Sequence, residues 1–143
     1  MVDKNLVLRK ISQLDEYHSQ ILEFAQVTAA EYSAEWKTRR IVERTLQVMI
    51  ELTADIGHHI IADQGLRTPD SYADTFRVLG EAEIIDASLS SMMQSMAGFR
   101  NVVVHGYDKI DEGIVISILS QRLGDFILFK DAVLAFIKAQ DEE

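Results

Sequence analysis

Hydrophobic residues in this chain recur at steps of three and four almost from end to end. Leu8, Ile11, Leu14, Ile21 and Phe24 keep that spacing from about Asn5 to Val27, which predicts a first amphipathic helix. Val42, Leu46, Met49, Thr53, Ile56 and Ile60 alternate steps of four and three, a heptad-like seam that predicts a longer second helix. Ser33 or Ala34 is its expected cap and Gly65 its expected stop. A short third helix comes next, with Thr68 as cap, Pro69 at the first helical position and an end near Gly80. Asp86 or Ser88 caps a fourth, whose inward stripe is Leu89, Met92, Met96, Phe99 and Val103. His105 and Gly106 close it, the glycine being free to turn left-handed. Asp111 opens a fifth helix that carries Ile116, Leu119, Leu123, Ile127, Leu134 and Ile137 inward. Its first residues, Ile114-Val115-Ile116-Ser117-Ile118, have the β-branching of a strand, but a lone strand has no partner here and helix is the reading.

Four long helices on short connections predict an all-α fold, an antiparallel four-helix bundle with an additional short helix. The 143 residues fit one domain spanning 1–143, with no internal repeat and no low-complexity stretch. No cysteine is present, which removes disulfides and thiolate metal sites. The opening residues lack the pattern of a signal peptide, and no apolar run approaches a membrane span, so a cytoplasmic protein with no membrane partner is expected.

The net charge of −9 argues against a broad nucleic-acid-binding surface. Local charge decides contact, however, and Lys37, Arg39, Arg40 and Arg44 gather at the head of the second helix. A solvated helix start is the plainer account of them, and a phosphate-steering patch the sharper one. Trp36 beside them is read as a hydrophobic anchor rather than a base-stacking platform. Met92, Met93 and Met96 are read as core or interface filling.

The chemistry concentrates in Arg100-Asn101-Val102-Val103-Val104-His105-Gly106-Tyr107. A guanidinium holds a phosphate or stabilises charge building on it, and an imidazole moves protons near neutral pH. If the helix ran on, Arg100 and His105 would project about 140° apart; an end near Val104 would let both converge on one pocket. Glu51 and Asp55 are like charges four residues apart, a small cost that suggests their face meets a positive group such as Arg100. Asp15 with His18, and Asp55 with His58, have the spacing of metal ligands on a helix face. A di-metal bundle needs further inward carboxylates, and Glu81 and Glu83 fall in a connector, so neither metal nor cofactor is expected.

The pattern Arg-x-x-x-x-His-x-Tyr at Arg100, His105 and Tyr107 resembles the signature of HEPN ribonucleases, specifically the HepT-type toxins of bacterial toxin–antitoxin pairs. The surrounding MMQSMAGFRNVVVHGYDKID, the earlier DIGHHIIA, and Pro69-Asp70-Ser71-Tyr72 are similar to that family's helices as well, so the likeness covers nearly the whole chain. The resemblance implies a helical bundle that forms a homodimer and brings two motifs into one cleft. It implies metal-independent RNA cleavage with Arg100 and His105 catalytic, and Asn101 as the polar residue that commonly succeeds the arginine. It further implies a minimal nucleotidyltransferase antitoxin of the MntA type, which adenylylates Tyr107. Glu51 and Asp55 are candidates to support the cleft beside Asn101.

Elementary chemistry agrees with the implied dimer. Cleaving RNA needs a base for the 2′-hydroxyl and an acid for the leaving oxygen, and one motif histidine per chain supplies one of the two. A two-fold pair supplies both. The alternative is a non-catalytic helical module that only docks a nucleotidyltransferase, and an RNA-cleavage assay separates the two.

Overall fold

Asp3 accepts a hydrogen bond from the Leu6 amide and so caps the first helix, α1 (Lys4–Ile21), in the computed structural model of the chain. The structure describes residues 2–142, and of Tyr107 the backbone alone. Val7, Ile11, Leu14 and Ile21 form the buried stripe of α1. Val7 sets its phase, and Leu8, expected inside, is 39% exposed. The helix is shorter than the periodicity suggests, because the chain tightens into a 3-10 turn at Leu22–Phe24.

A short helix that the hydrophobic pattern misses, α2 (Ala29–Ala34), comes next. Thr28 and Glu31 form a reciprocal capping box, which holds six residues helical where the apolar pattern is too short to register. Glu35 then caps α3 (Trp36–Asp63), one to two residues later than expected. The predicted seam of α3 is fully buried at all six positions. Its exit is closed by Gly65 at φ 64°, with the Leu66 amide bonded to the Ile61 carbonyl at 3.1 Å. Only glycine takes that conformation without cost.

Ser71 caps α4 (Tyr72–Glu81) through the Asp74 amide, so Thr68 and Pro69 lie in the connection rather than at the helix start. This helix lies close on α3: a Cβ at Gly57 would stand 2.9 Å from Thr75 Cγ2. Asp86 caps α5 (Ala87–His105). Of its predicted stripe Leu89, Met96 and Phe99 are buried, while Met92 and Val103 are half-buried and Met93 and Ala97 take the inner places. Gly106 ends the helix at φ −145°, extended rather than left-handed, so the turn there does not depend on glycine's special freedom.

Asp111 caps the next helix as expected, through the Gly113 and Ile114 amides. The β-branched run is helical. The long fifth helix nevertheless breaks into α6 (Glu112–Ser117), a wide π turn at Ile118–Arg122, and α7 (Gly124–Asp141). The π turn inserts a residue into the ladder and rotates α7 relative to α6. Phe126, Phe129 and Val133 therefore fill the core, and Leu134 is left outside.

Lys4 pairs with Asp141, Asp15 with Lys130, and His18 Nε2 donates to the Leu123 carbonyl. The descending partner numbers make α1 and α7 antiparallel. The long α3 packs on α1, α4, α5 and α7, the arrangement of an all-helical bundle. At its centre Phe76 of α4 meets Phe129 of α7 edge-on, ring centres 5.8 Å apart. Among the described residues no helix is long and apolar enough to cross a membrane.

Candidate active site

α5 carries the motif across the middle of α3. Arg100 is turned inward, with only 13% of its side chain exposed. Its Nε donates to Glu51 Oε2 at 2.8 Å and its Nη2 lies 2.7 Å from the same oxygen. Nη1 donates to Asn101 Oδ1 at 3.3 Å. The face of the guanidinium rests on the Tyr72 ring, 4.3 Å from its centre. Gln47, one turn earlier on α3, donates to Glu51 Oε2 at 3.2 Å. A planar cation is thus held at its edge by a carboxylate and on its face by an aromatic ring, the two surfaces a guanidinium offers.

His105 stands at the other side of the helix end. The helix continues through His105, so convergence with Arg100 inside one chain does not occur. His105 is exposed and lines an open surface cleft of about 480 Å³ with Asn101, Val102, Gly106 and Lys109. Asn101 belongs to both environments, since it bonds Arg100 and borders the cleft of His105. Tyr107 begins the 3-10 turn Tyr107–Lys109 directly after Gly106; its side chain lies outside the described residues.

The other candidates separate. Glu51 meets Arg100, whereas Asp55, one turn further on, pairs with Lys10 of α1 at 3.2 Å. His58 Nε2 bonds Thr75 Oγ1 at 2.9 Å, and its ring centre lies 6.3 Å from that of Tyr72. With Asp15 on Lys130 and His18 on a carbonyl, the side chains spaced like metal ligands are drawn into separate contacts. Trp36 is 58% exposed with Lys37 Nζ 5.8 Å from its ring centre, so it anchors nothing in the core. Tyr72 and Gln47 escape sequence reasoning. A tyrosine at a helix start and a glutamine on a polar face carry no periodic signal, and only the packing of α4 on α3 brings Tyr72 over Arg100.

Comparison with known proteins places this chain in a family. A family model described as "Ribonuclease HepT-like" matches residues 14–133. An "mRNA nuclease HepT" of Shewanella oneidensis is 36% identical over 90 residues, covering 63% of this chain and 68% of that protein. A "tRNA nuclease HepT" of Aphanizomenon flos-aquae is 24% identical over 144 residues, covering 99% of this chain and 97% of the relative. Among solved structures, a tri-AMPylated Shewanella oneidensis HEPN toxin in complex with MNT antitoxin superposes with a TM-score of 0.84. It is 28% identical, over 94% of this chain and 99% of that one.

Proposed function

The chain belongs to the HepT-like ribonuclease family and is a ribonuclease toxin, and we propose that it cuts RNA without a metal, through Arg100 and His105. The observation that carries the assignment of roles is the contrast between the two side chains. Arg100 is locked by Glu51, Asn101 and Tyr72, as a group that must present charge at a fixed point would be. His105 is exposed, where it can exchange protons with substrate.

These groups define a reaction. One His105 takes the proton of the 2′-hydroxyl, the 2′-oxygen attacks phosphorus, and the bond to the 5′-oxygen breaks. A second His105 protonates that leaving oxygen. The products are a 2′,3′-cyclic phosphate and a 5′-hydroxyl. Arg100 stabilises the negative charge that builds on the phosphoryl oxygens.

The second histidine comes from a second copy of the chain. Support for this lies in the outer face of α5, where Ser91, Ser95, Gly98 and Val102 are exposed in a line that runs to His105. Small side chains along one face let two helices approach closely about a two-fold axis. A dimer built there also provides what a single chain lacks, a histidine opposite each arginine.

The partner that silences the activity is a nucleotidyltransferase antitoxin of the kind seen with the Shewanella toxin, acting by AMPylation of Tyr107. The two HepT relatives are named for different RNAs, mRNA and tRNA, and the substrate class they share is RNA.

The test is cleavage of RNA by the purified chain in excess chelator. Wild type should cut at an undiminished rate and leave cyclic-phosphate ends. His105→Ala should be inactive with unchanged melting, and its heterodimers with wild type should lose most activity. A rate abolished by chelator and restored by a divalent ion rules out the mechanism, and a wild-type chain that never cuts RNA is the non-catalytic docking module instead.

A further inference from the structure

The basic cluster at the head of α3 is not absorbed by the catalytic reading, and the fold gives it a direction. At about 100° per residue, Trp36, Arg40, Arg44, Gln47 and Glu51 fall within about 80° of one another around α3. They therefore share one face, about 22 Å long from Trp36 to Glu51. That face ends at the motif, because Glu51 holds Arg100 and Gln47 holds Glu51. Arg40, Glu43, Arg44 and Gln47 line an open groove of about 370 Å³ whose opposite wall is Val103, between Arg100 and His105 on α5.

Charge makes the groove distinctive in an acidic protein. Several cations elsewhere are taken up by carboxylates: Lys4, Lys10, Lys130, Arg67 and Arg77 each pair with an aspartate. Among the described residues no carboxylate within salt-bridge distance engages Arg44. The acid in the groove, Glu43, is turned inward and buried. Its Oε2 accepts the Tyr32 hydroxyl at 2.7 Å, and Oε1 lies 3.5 Å from Arg40. Outward, the groove presents guanidinium. One turn before Arg40 on the same face of α3 stands Trp36, which is exposed.

We propose that this α3–α5 groove binds the backbone of single-stranded RNA on its way to Arg100 and His105, with Arg40 and Arg44 holding phosphates and Trp36 stacking a base. A line of cations ending in an aromatic platform is how proteins hold single strands without reading sequence. The proposal rests on the ribonuclease reading for the identity of the ligand, but its test does not depend on cleavage.

The experiment measures fluorescence anisotropy of a labelled 2′-O-methyl oligoribonucleotide, which has no free 2′-hydroxyl, against full-length protein at several salt concentrations. Arg44→Gln should weaken binding and make the slope of log affinity against log salt shallower by about 0.7, the counterion release of one phosphate contact on a single strand. Arg40→Gln combined with Arg44→Gln should shift it by about twice that. Arg44→Lys should recover the slope. Trp36→Ala should lose at least about fivefold in affinity at every salt concentration with the slope unchanged. Lys138→Gln, on α7, should match wild type.

Arg44 is exposed, so its single variants answer the question even if the Arg40 change disturbs Glu43 and the fold. Slopes and affinities of the arginine variants equal to those of Lys138→Gln overturn the proposal, as does a wild type that does not bind the strand. Unchanged RNA binding with lost binding to the nucleotidyltransferase makes the groove a protein-docking surface instead. None of these outcomes touches the cleavage reading, which stands or falls on His105→Ala.

Discussion

Glu51 and Arg100 lie 49 residues apart in sequence and meet through a single oxygen, Oε2, which receives both Nε and Nη2 of the guanidinium. The carboxylate approaches the edge of the guanidinium and leaves Nη1 to Asn101. One arginine is thereby fixed in direction by α3 and tied to the polar neighbour that borders the cleft of His105. In the mechanism proposed above, Glu51 would be a positioning residue, acting on RNA through Arg100.

Removing that carboxylate should therefore cost activity more than stability. Glu51→Gln keeps the shape but leaves a mostly buried cation without its counter-charge. Cleavage is expected to fall about 100-fold, the effect of a catalytic group displaced by about 1 Å. Stability should fall by about 1–2 kcal/mol. Single-turnover cleavage and thermal melting on the same preparation check the pair, and a variant that cuts at wild-type rate removes Glu51 from the mechanism. Arg100→Lys should be about as inactive as Arg100→Ala, since an ammonium keeps the charge but cannot span Glu51 and Asn101 together.

Tyr72 offers a second handle on the same guanidinium, through its face. Tyr72→Phe keeps the ring and should retain most activity. Tyr72→Leu removes a contact worth about 0.5–2 kcal/mol and frees Arg100 to tilt. The expected result is a reduced kcat with little change in KM for Tyr72→Leu, and near-wild-type values for Tyr72→Phe. Equal losses in both variants would mean that the hydroxyl, rather than the ring, is what matters.

How much of this was legible in the sequence depends on the range of the interaction. The seam of α3 was, because six apolar positions repeat over many turns and one helix face must be buried. The boundaries of α3 and α4 were not, because Glu35 took the cap in place of Ser33 or Ala34, and Ser71 in place of Thr68 three residues earlier. The break at Ile118–Arg122 is invisible to periodicity, since one extra residue per turn shifts the phase without changing composition. At the site, the motif residues are local and could be read in line. The Glu51 contact was foreshadowed by its unfavourable spacing from Asp55, though Asp55 itself found Lys10. The stacking of Tyr72 on Arg100 joins two helices and has no one-dimensional trace.

The support of α4 carries a pH dependence. Asp74 is nearly buried and receives two bonds from Arg67, one from the Asp70 amide and one from Arg77, with Arg67 the chief cause of a carboxyl held well below the usual range. A carboxyl that binds protons more weakly folded than unfolded stabilises the fold above its unfolded pKa, near 4. That contribution is lost as pH falls through the lower folded value. Melting temperature should therefore drop steadily below about pH 4. Asp74→Asn should melt lower at pH 7 and show a flatter acid limb. An identical acid limb in the variant would assign the loss to other carboxylates.

Tyr107 is the residue on which control of the toxin is expected to turn. It lies two positions beyond His105 and opens the turn that carries Lys109, a residue of the same cleft. Attaching a nucleotide to its hydroxyl would add a phosphate's negative charge and a bulky base close to where RNA must lie. The phosphate competes for cationic groups that substrate phosphates would otherwise use, and the base fills space the strand needs. Inhibition of this kind is local and requires no refolding, so the modified chain should melt as a folded protein while failing to cut. Tyr107→Phe should fold and escape silencing by an adenylylating antitoxin. Intact mass after co-expression is the deciding measurement: adenylyl-sized additions should appear on wild type and vanish on Tyr107→Phe. Additions mapped to another residue would move the switch elsewhere. Tight inhibition of Tyr107→Phe with no change in mass would replace covalent control with plain protein–protein blocking, and the antitoxin's contact surface would then become the thing to locate.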